Sequence, residues 1–274
     1  MSDVHPTAVL EGDVRLGVDV RIGPYVVIRG PVEIGDGSVL DGHVFIEGSI
    51  RIGSRNRFFP FCSIGAIPQD LKYHGEESEV VIGDDNTFRE SVTVNRGTEG
   101  GGSRTQIGDK CLIMAYSHVA HDCIIGNRVI MANGATLAGH IMVDDFATVG
   151  AFTGVHQFCR VGAYAYVGGY SVITKDALPF VKTVGMRGRA AIYGINSLGL
   201  TRLGFSQDRI DLLKRAYRHL FRSSSNLAKG LAQLTENMPI TGDIKTLVDF
   251  IESSPRGVIH QSPGTADDNR PDSP

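Results

Sequence analysis

Tryptophan is absent from this chain, cysteine is scarce at four residues, and the charges nearly cancel to −3 over 274 residues. Near-neutrality excludes a broad cationic surface, so no nucleic-acid partner is expected. No apolar run reaches the roughly 18 residues that a membrane span needs, and the N-terminus lacks the apolar core of a signal peptide. The expectation is a cytoplasmic protein with no stable membrane insertion. The length allows one or two domains with a sizeable core. Glycine, by contrast, is abundant at 34 residues, which suits a fold with many tight corners.

What fills the sequence is a six-residue rhythm. Val4, Leu10, Leu16, Ile22, Ile28, Ile34, Leu40, Ile46, Ile52, Phe58 and Ile64 follow one another in phase. Neither a helix nor an alternating strand has this period. One short strand buries one aliphatic per repeat, and three strands make a coil of about 18 residues. No coil closes a core alone, so coils stack at the strand spacing of about 4.8 Å. Gly17, Gly23, Gly35 and Gly53 follow the aliphatic residue, where the chain is expected to turn. Cys62, Cys111, Cys123 and Cys159 each fall four places after an aliphatic, a slot that elsewhere holds Ala8, Val20, Ser38 or Ala147. Buried cysteine behaves there as a small hydrophobe, so reduced core thiols are expected rather than disulfides or metal ligands.

Two excursions interrupt the rhythm. Residues 66–80 (AIPQDLKYHGEESEV) break it, and Ile82 resumes it as if the insertion replaced one coil's worth of wall. A glycine-rich stretch, NRGTEGGGSRTQ, occupies 95–106. From Ile107 to Ile173 the period is unbroken for twelve positions and ends near Leu178. The expected organisation is a β-helix over 1–178, a connector and helical domain over 179–259, and a tail over 260–274 of disordered composition. Ser206 is a candidate N-cap, with Ile210, Leu213, Ala216, Tyr217, Leu220 and Phe221 at helical spacing behind it. Further helices are expected at about 225–234 and 244–251.

A coil of constant length brings distant polar residues together. His121, Gly139 and Gln157 form one column, and Asp122, His140 and Phe158 the next. His156 lies beside Gln157, and His118 at the corner leading into the same face. These four histidines avoid the buried slots. A histidine adjoining Asp122 suits general-base chemistry. A zinc site is the competing reading, since His118 and His121 have ligand spacing; the carboxylate favours the base, and no metal or cofactor is expected. The Gly139 N–H suits an oxyanion, or the glycine simply relieves crowding; periodicity does not separate the two. Lys182, Arg187, Arg189, Arg202, Arg209, Lys214, Arg215, Arg218 and Arg222 face only Asp208 and Asp211, nine against two. That excess suits an acidic partner or a solvated helix face.

With IGPYVVI, QDLKY, RESVTVNRGT, HVAHDC, NRVIMANGATLAGH, DDFATVGAFTGVHQF and VGGYSVITKD, the sequence resembles the UDP-N-acetylglucosamine O-acyltransferase family across about residues 4–260. The resemblance implies a left-handed parallel β-helix with a C-terminal α-helical domain, assembled as a homotrimer with active sites between adjacent prisms. It implies transfer of an (R)-3-hydroxyacyl group from acyl carrier protein to the glucosamine 3-position of UDP-N-acetylglucosamine or its 3-amino analogue, the first step of lipid A synthesis. His121 matches the general base, Asp122 its support and Gly139 the oxyanion donor. Asp70, Lys72, His118, His140, His156, Gln157, Asn196 and Arg202 match substrate contacts. Gly169 matches the position that limits acyl length, and Lys214, Arg215, Arg218 and Arg222 belong to the carrier-docking region. Leu198 and Leu203 depart from the pattern, standing where some members carry an acidic residue and a second arginine. A later-pathway N-acyltransferase would carry an N-terminal uridine-binding domain, for which hexads starting at Val4 leave no room. A zinc hydratase of the γ-carbonic-anhydrase type would use the same prism with three histidines.

Overall fold

The computed structural model describes residues 2–222 and 226–260. Position 225 and residues 261–274 lie outside the described residues, and with them nearly all of the expected tail. The aliphatics of the rhythm lie in strands of two to four residues and most of them end the strand, as in Leu112–Ile113, His118–Val119 and Ile124–Ile125. Successive strand residues face opposite sides, so the last one points inward. Ile113, Val119, Leu137 and Val149 are fully buried. The strands stack in parallel into three walls of 11, 9 and 8 strands, a parallel β-helix. Register follows the eighteen-residue offset: Ile113 pairs with Met131, Val119 with Leu137 and Ile125 with Val143. Among the described residues the first coil is the edge of the stack, and Val4 there is 40% exposed.

The glycines after the aliphatic stand at the corners, as expected, where a Cβ would clash. The glycine after the aliphatic does not carry the left-handed backbone; that falls two residues later, on Asp19, Tyr25 and Arg55, with φ of 57°, 57° and 56°. The glycine is required by close stacking instead. A Cβ at Gly23 would lie 2.9 Å from the Leu40 carbonyl oxygen of the next coil.

The first excursion replaces no wall. Ile82 pairs directly with Ile52, so consecutive coils remain in contact and the extra residues loop outward. Ile107 pairs with Ile82 in the same way across the second excursion. Both excursions leave the second wall, after Ser63–Ala66 and Thr93–Asn95, and return to the third, at Glu79–Ile82 and Arg104–Ile107. They therefore stack on one corner of the prism.

Beyond Leu178 the first wall continues. Val181–Val184 pairs in parallel with Tyr166–Val167 and then antiparallel with Ala191–Ile195. The expected connector is thus an ordered hairpin, followed by helix α1 (Ser197–Arg202), which the glycine-rich composition hid. Helices α2 (Gln207–Phe221), α3 (Leu227–Asn237) and α4 (Gly242–Glu252) pack on this end. Ser206 caps α2 as expected, accepting from the Arg209 N–H at 3.4 Å. Asp176 joins prism to helices: its carboxylate accepts from the Arg160 N–H at 2.8 Å and the Ser254 hydroxyl at 2.7 Å, and burial raises its pKa. All four cysteines are free and buried. Desolvation pushes the Cys62 and Cys123 thiols up to about 12, and those of Cys111 and Cys159 to about 11, so they are protonated core residues. Among the described residues no helix is long and apolar enough to cross a membrane.

Candidate active site

The corner between the second and third walls, just beyond the two excursions, gathers the columns read from the sequence. Asp122, His140 and Phe158 all take left-handed backbone there, with φ of 60°, 60° and 63°. Such residues cost of order 1–3 kcal/mol each, and the coil hydrogen bonds on either side hold them in place. The His140 and Phe158 rings stack at 4.6 Å, and His121 meets His140 edge-on at 5.0 Å.

His121 is held at one ring nitrogen. Its Nδ1 lies 2.7 Å from Asp122 Oδ2, and its Nε2 is 4.0 Å from Asp70 Oδ2 on the first excursion. The imidazole packs against Gly139, where a Cβ would sit 2.5 Å from Cε1 and 2.7 Å from Nε2. The close approach therefore requires glycine. The Gly139 N–H donates to no group among the described residues, so it remains available beside the imidazole.

Asp122 is not on the open face where the columns put it; its side chain is fully buried. The second excursion covers it. The Thr98 N–H donates to Oδ1 at 2.8 Å and the Thr98 hydroxyl to Oδ2 at 2.6 Å. The Asp122 N–H in turn donates to Thr105 Oγ1 at 2.8 Å. His118 stands in the wall strand rather than at the corner, 2.7 Å from Thr93 Oγ1, and burial with the nearby His121 lowers its pKa. Desolvation also lowers that of His140, against the pull of Asp122. Both flanking imidazoles are thereby biased neutral at pH 7.

His121, Asp122 and His140 each bring one donor atom within 4.8 Å of the others and could hold a cation. The donor set fits poorly. Both Asp122 oxygens already accept from Thr98, and His121 Nδ1 faces the same carboxylate. The arrangement is an imidazole backed by a buried carboxylate and packed against a glycine whose N–H has no partner among the described residues.

Comparisons with known proteins identify the family of the chain. The family described as "Udp N-acetylglucosamine O-acyltransferase; Domain 2" matches residues 176–259, and "Bacterial transferase hexapeptide (six repeats)" matches 13–48 and 104–139. The acyl-[acyl-carrier-protein]–UDP-N-acetylglucosamine O-acyltransferase of Halorhodospira halophila is 48% identical over 259 residues, covering 94% of this chain and all of its own. This chain belongs to that acyltransferase family. The UDP-N-acetylglucosamine acyltransferase structure from Campylobacter jejuni superposes with a TM-score of 0.88 at 40% identity, covering 94% of this chain and 99% of the other. The LpxA structure from Acinetobacter baumannii gives 0.89 at 38%, covering 93% and 99%.

Measured against the family's site, the remaining residues separate by corner. Lys72 belongs to the His121 group: its N–H donates to Asp70 Oδ1 at 3.0 Å, and its charge helps lower the His140 pKa. His156 and Gln157 share that corner and are exposed, with His156 Nδ1 3.2 Å from the Gln157 carbonyl oxygen. Gly169 lies elsewhere, on the corner between the first and second walls, where a Cβ would meet the Ala151 carbonyl oxygen at 3.1 Å. Asn196 lies on the third corner. It caps α1 by accepting from the Gly199 N–H at 3.3 Å and donates to the Tyr164 carbonyl at 3.2 Å. Arg202, Leu198 and Leu203 are exposed on or beside the same helix. On α2, Lys214 pairs with Asp211 at 2.9 Å, while Arg215, Arg218 and Arg222 are exposed. Arg209 pairs with Asp243 at 2.9 Å, a neutralisation from outside the basic stretch.

Sequence reasoning missed Thr98, Thr105 and Thr93. Thr98 stands in the quoted RESVTVNRGT stretch, but it lies off the six-residue phase, so no column places it against Asp122.

Proposed function

We propose that the His121 corner performs the chemistry of this acyltransferase, the transfer of an acyl group from acyl carrier protein to UDP-N-acetylglucosamine in the first step of lipid A synthesis. The acyl group is an (R)-3-hydroxyacyl chain and the acceptor is the glucosamine 3-hydroxyl. His121 Nε2 removes the hydroxyl proton as the oxygen attacks the thioester carbonyl carbon. Asp122 keeps the other proton on Nδ1 and stabilises the imidazolium that forms. The Gly139 N–H meets the oxyanion of the tetrahedral intermediate. Collapse breaks the carbon–sulfur bond, and the imidazolium returns its proton to the leaving thiolate. Asp70, Lys72, His118 and His140 surround the reacting groups and bind substrate.

The carrying observation is one imidazole with a buried carboxylate on Nδ1 and an unused backbone N–H beneath its ring. The test is His121→Ala, expected to lower kcat by at least about a hundredfold with the melting temperature retained. A variant keeping more than about a tenth of wild-type kcat, with chemistry rate-limiting, overturns the assignment.

The active unit is a homotrimer. Within one chain the His121 group, Gly169 and Asn196 with Arg202 occupy three different corners and cannot converge on one substrate. Neighbouring prisms bring the corners together. Exposed Tyr116, Phe152 and Tyr170, at 70%, 57% and 70%, line the corner of Gly169 and supply apolar surface for that contact. Gly169 then leaves room for a long acyl chain, and the nucleotide reaches Asn196 and Arg202. The exposed arginines of α2 receive the acidic carrier protein. Four protonated thiols suit a reducing cytoplasm.

A further inference from the structure

We propose that Thr98 is a positioning residue for the transfer, a clamp that fixes the Asp122 carboxylate against His121 Nδ1 and so keeps the proton-accepting nitrogen of His121 free. The proposal rests on His121 being the base. An ionised carboxylate only accepts, so the Thr98 hydroxyl at 2.6 Å and N–H at 2.8 Å both donate to it. They occupy both oxygens of a side chain that is fully buried. Thr98 is itself fixed, since its carbonyl accepts from the Gly101 and Ser103 N–H groups at 3.0 and 2.8 Å. The turn presses on the carboxylate so closely that a Cβ at Gly101 would overlap it. Thr98 is buried, with 6% exposure.

Donors aimed at the charged form favour that form. With two donors from Thr98, the proton shared between Asp122 and His121 stays on Nδ1, which leaves Nε2 with its lone pair toward the open corner. Without the hydroxyl, the carboxylate becomes more basic and holds the imidazolium more tightly. The base then works only at higher pH. A purely structural contact would leave that ionisation where it is.

Thr98→Val keeps the volume and the backbone N–H but removes the hydroxyl, and Thr98→Ser keeps the hydroxyl. At neutral pH, Thr98→Val is expected to lower kcat about tenfold, with KM for the UDP-sugar within about twofold of wild type. The acidic limb of log(kcat/KM) against pH is expected to move to higher pH. Thr98→Ser is expected to restore both. Wild-type kcat and limb in Thr98→Val, with His121→Ala inactive, overturn the clamp and leave the base reading intact. Equal losses in the Ser and Val variants with lowered melting temperatures overturn it in favour of packing. Normal turnover by His121→Ala removes the base reading, and the clamp with it.

Discussion

At the scale of single residues, the site depends on contacts too short to allow substitution. His121 lies over Gly139 with no space for a Cβ. Gly139→Ala must displace the imidazole from Asp122 or shift the coil backbone that carries the oxyanion donor. It is expected to cost at least about tenfold in kcat, together with a loss of stability, because the position is buried against the imidazole. Steady-state kinetics beside thermal melting separates the two effects. Unchanged kcat would show that neither the ring nor the N–H acts as assigned. The buried cysteines represent the opposite case. Their slot was legible from spacing alone, and their raised pKa values follow from the burial that spacing implied.

At the scale of elements, the proposed recognition of the carrier rests on the helices at the end of the prism. One face of α2 buries Ile210, Leu213, Ala216, Tyr217 and Leu220, and this leaves Arg215 and Arg218 directed away from the core. Charge reversal of both, Arg215→Glu with Arg218→Glu, is expected to raise KM for acyl carrier protein and flatten its dependence on salt. KM for the UDP-sugar and the melting temperature should move little, since the changes lie on the exposed face. If KM for the carrier at low ionic strength stays at the wild-type value, α2 is a solvated face and the carrier docks elsewhere. Asp211 already offsets Lys214 and Asp243 offsets Arg209, so the two chosen arginines are better probes than the residues beside them.

At the scale of the whole molecule, the proposed trimer rests on site groups that stand on three corners of one prism. Sedimentation at micromolar concentration is expected to give three times the 29.5 kDa chain mass. A variant with Tyr116, Phe152 and Tyr170 changed together to Ser should dissociate and lose activity in parallel, because each removes a large exposed aromatic from one contiguous corner. A monomer with full specific activity would sink the shared-site reading while leaving the chemistry at His121 untouched.

The amino-acid sequence by itself determined the walls, the register and the polar columns. A repeat of constant length turns sequence separation into distance, so His121 over Gly139 and His140 over Phe158 could be counted out. That arithmetic holds only while each coil has the same length. The excursions fall outside it, and where they land depends on hydrogen bonds to residues far away in the chain. Only the tertiary structure therefore decided that Thr98 closes over Asp122, and that Asp70 stands 4.0 Å from His121 Nε2. The same reason covers the hairpin after Leu178 and helix α1, whose strands and cap are specified by the prism end they pair with rather than by a local period. Burial of the Asp122 carboxylate was likewise beyond counting, because its cover comes from a segment that has no phase.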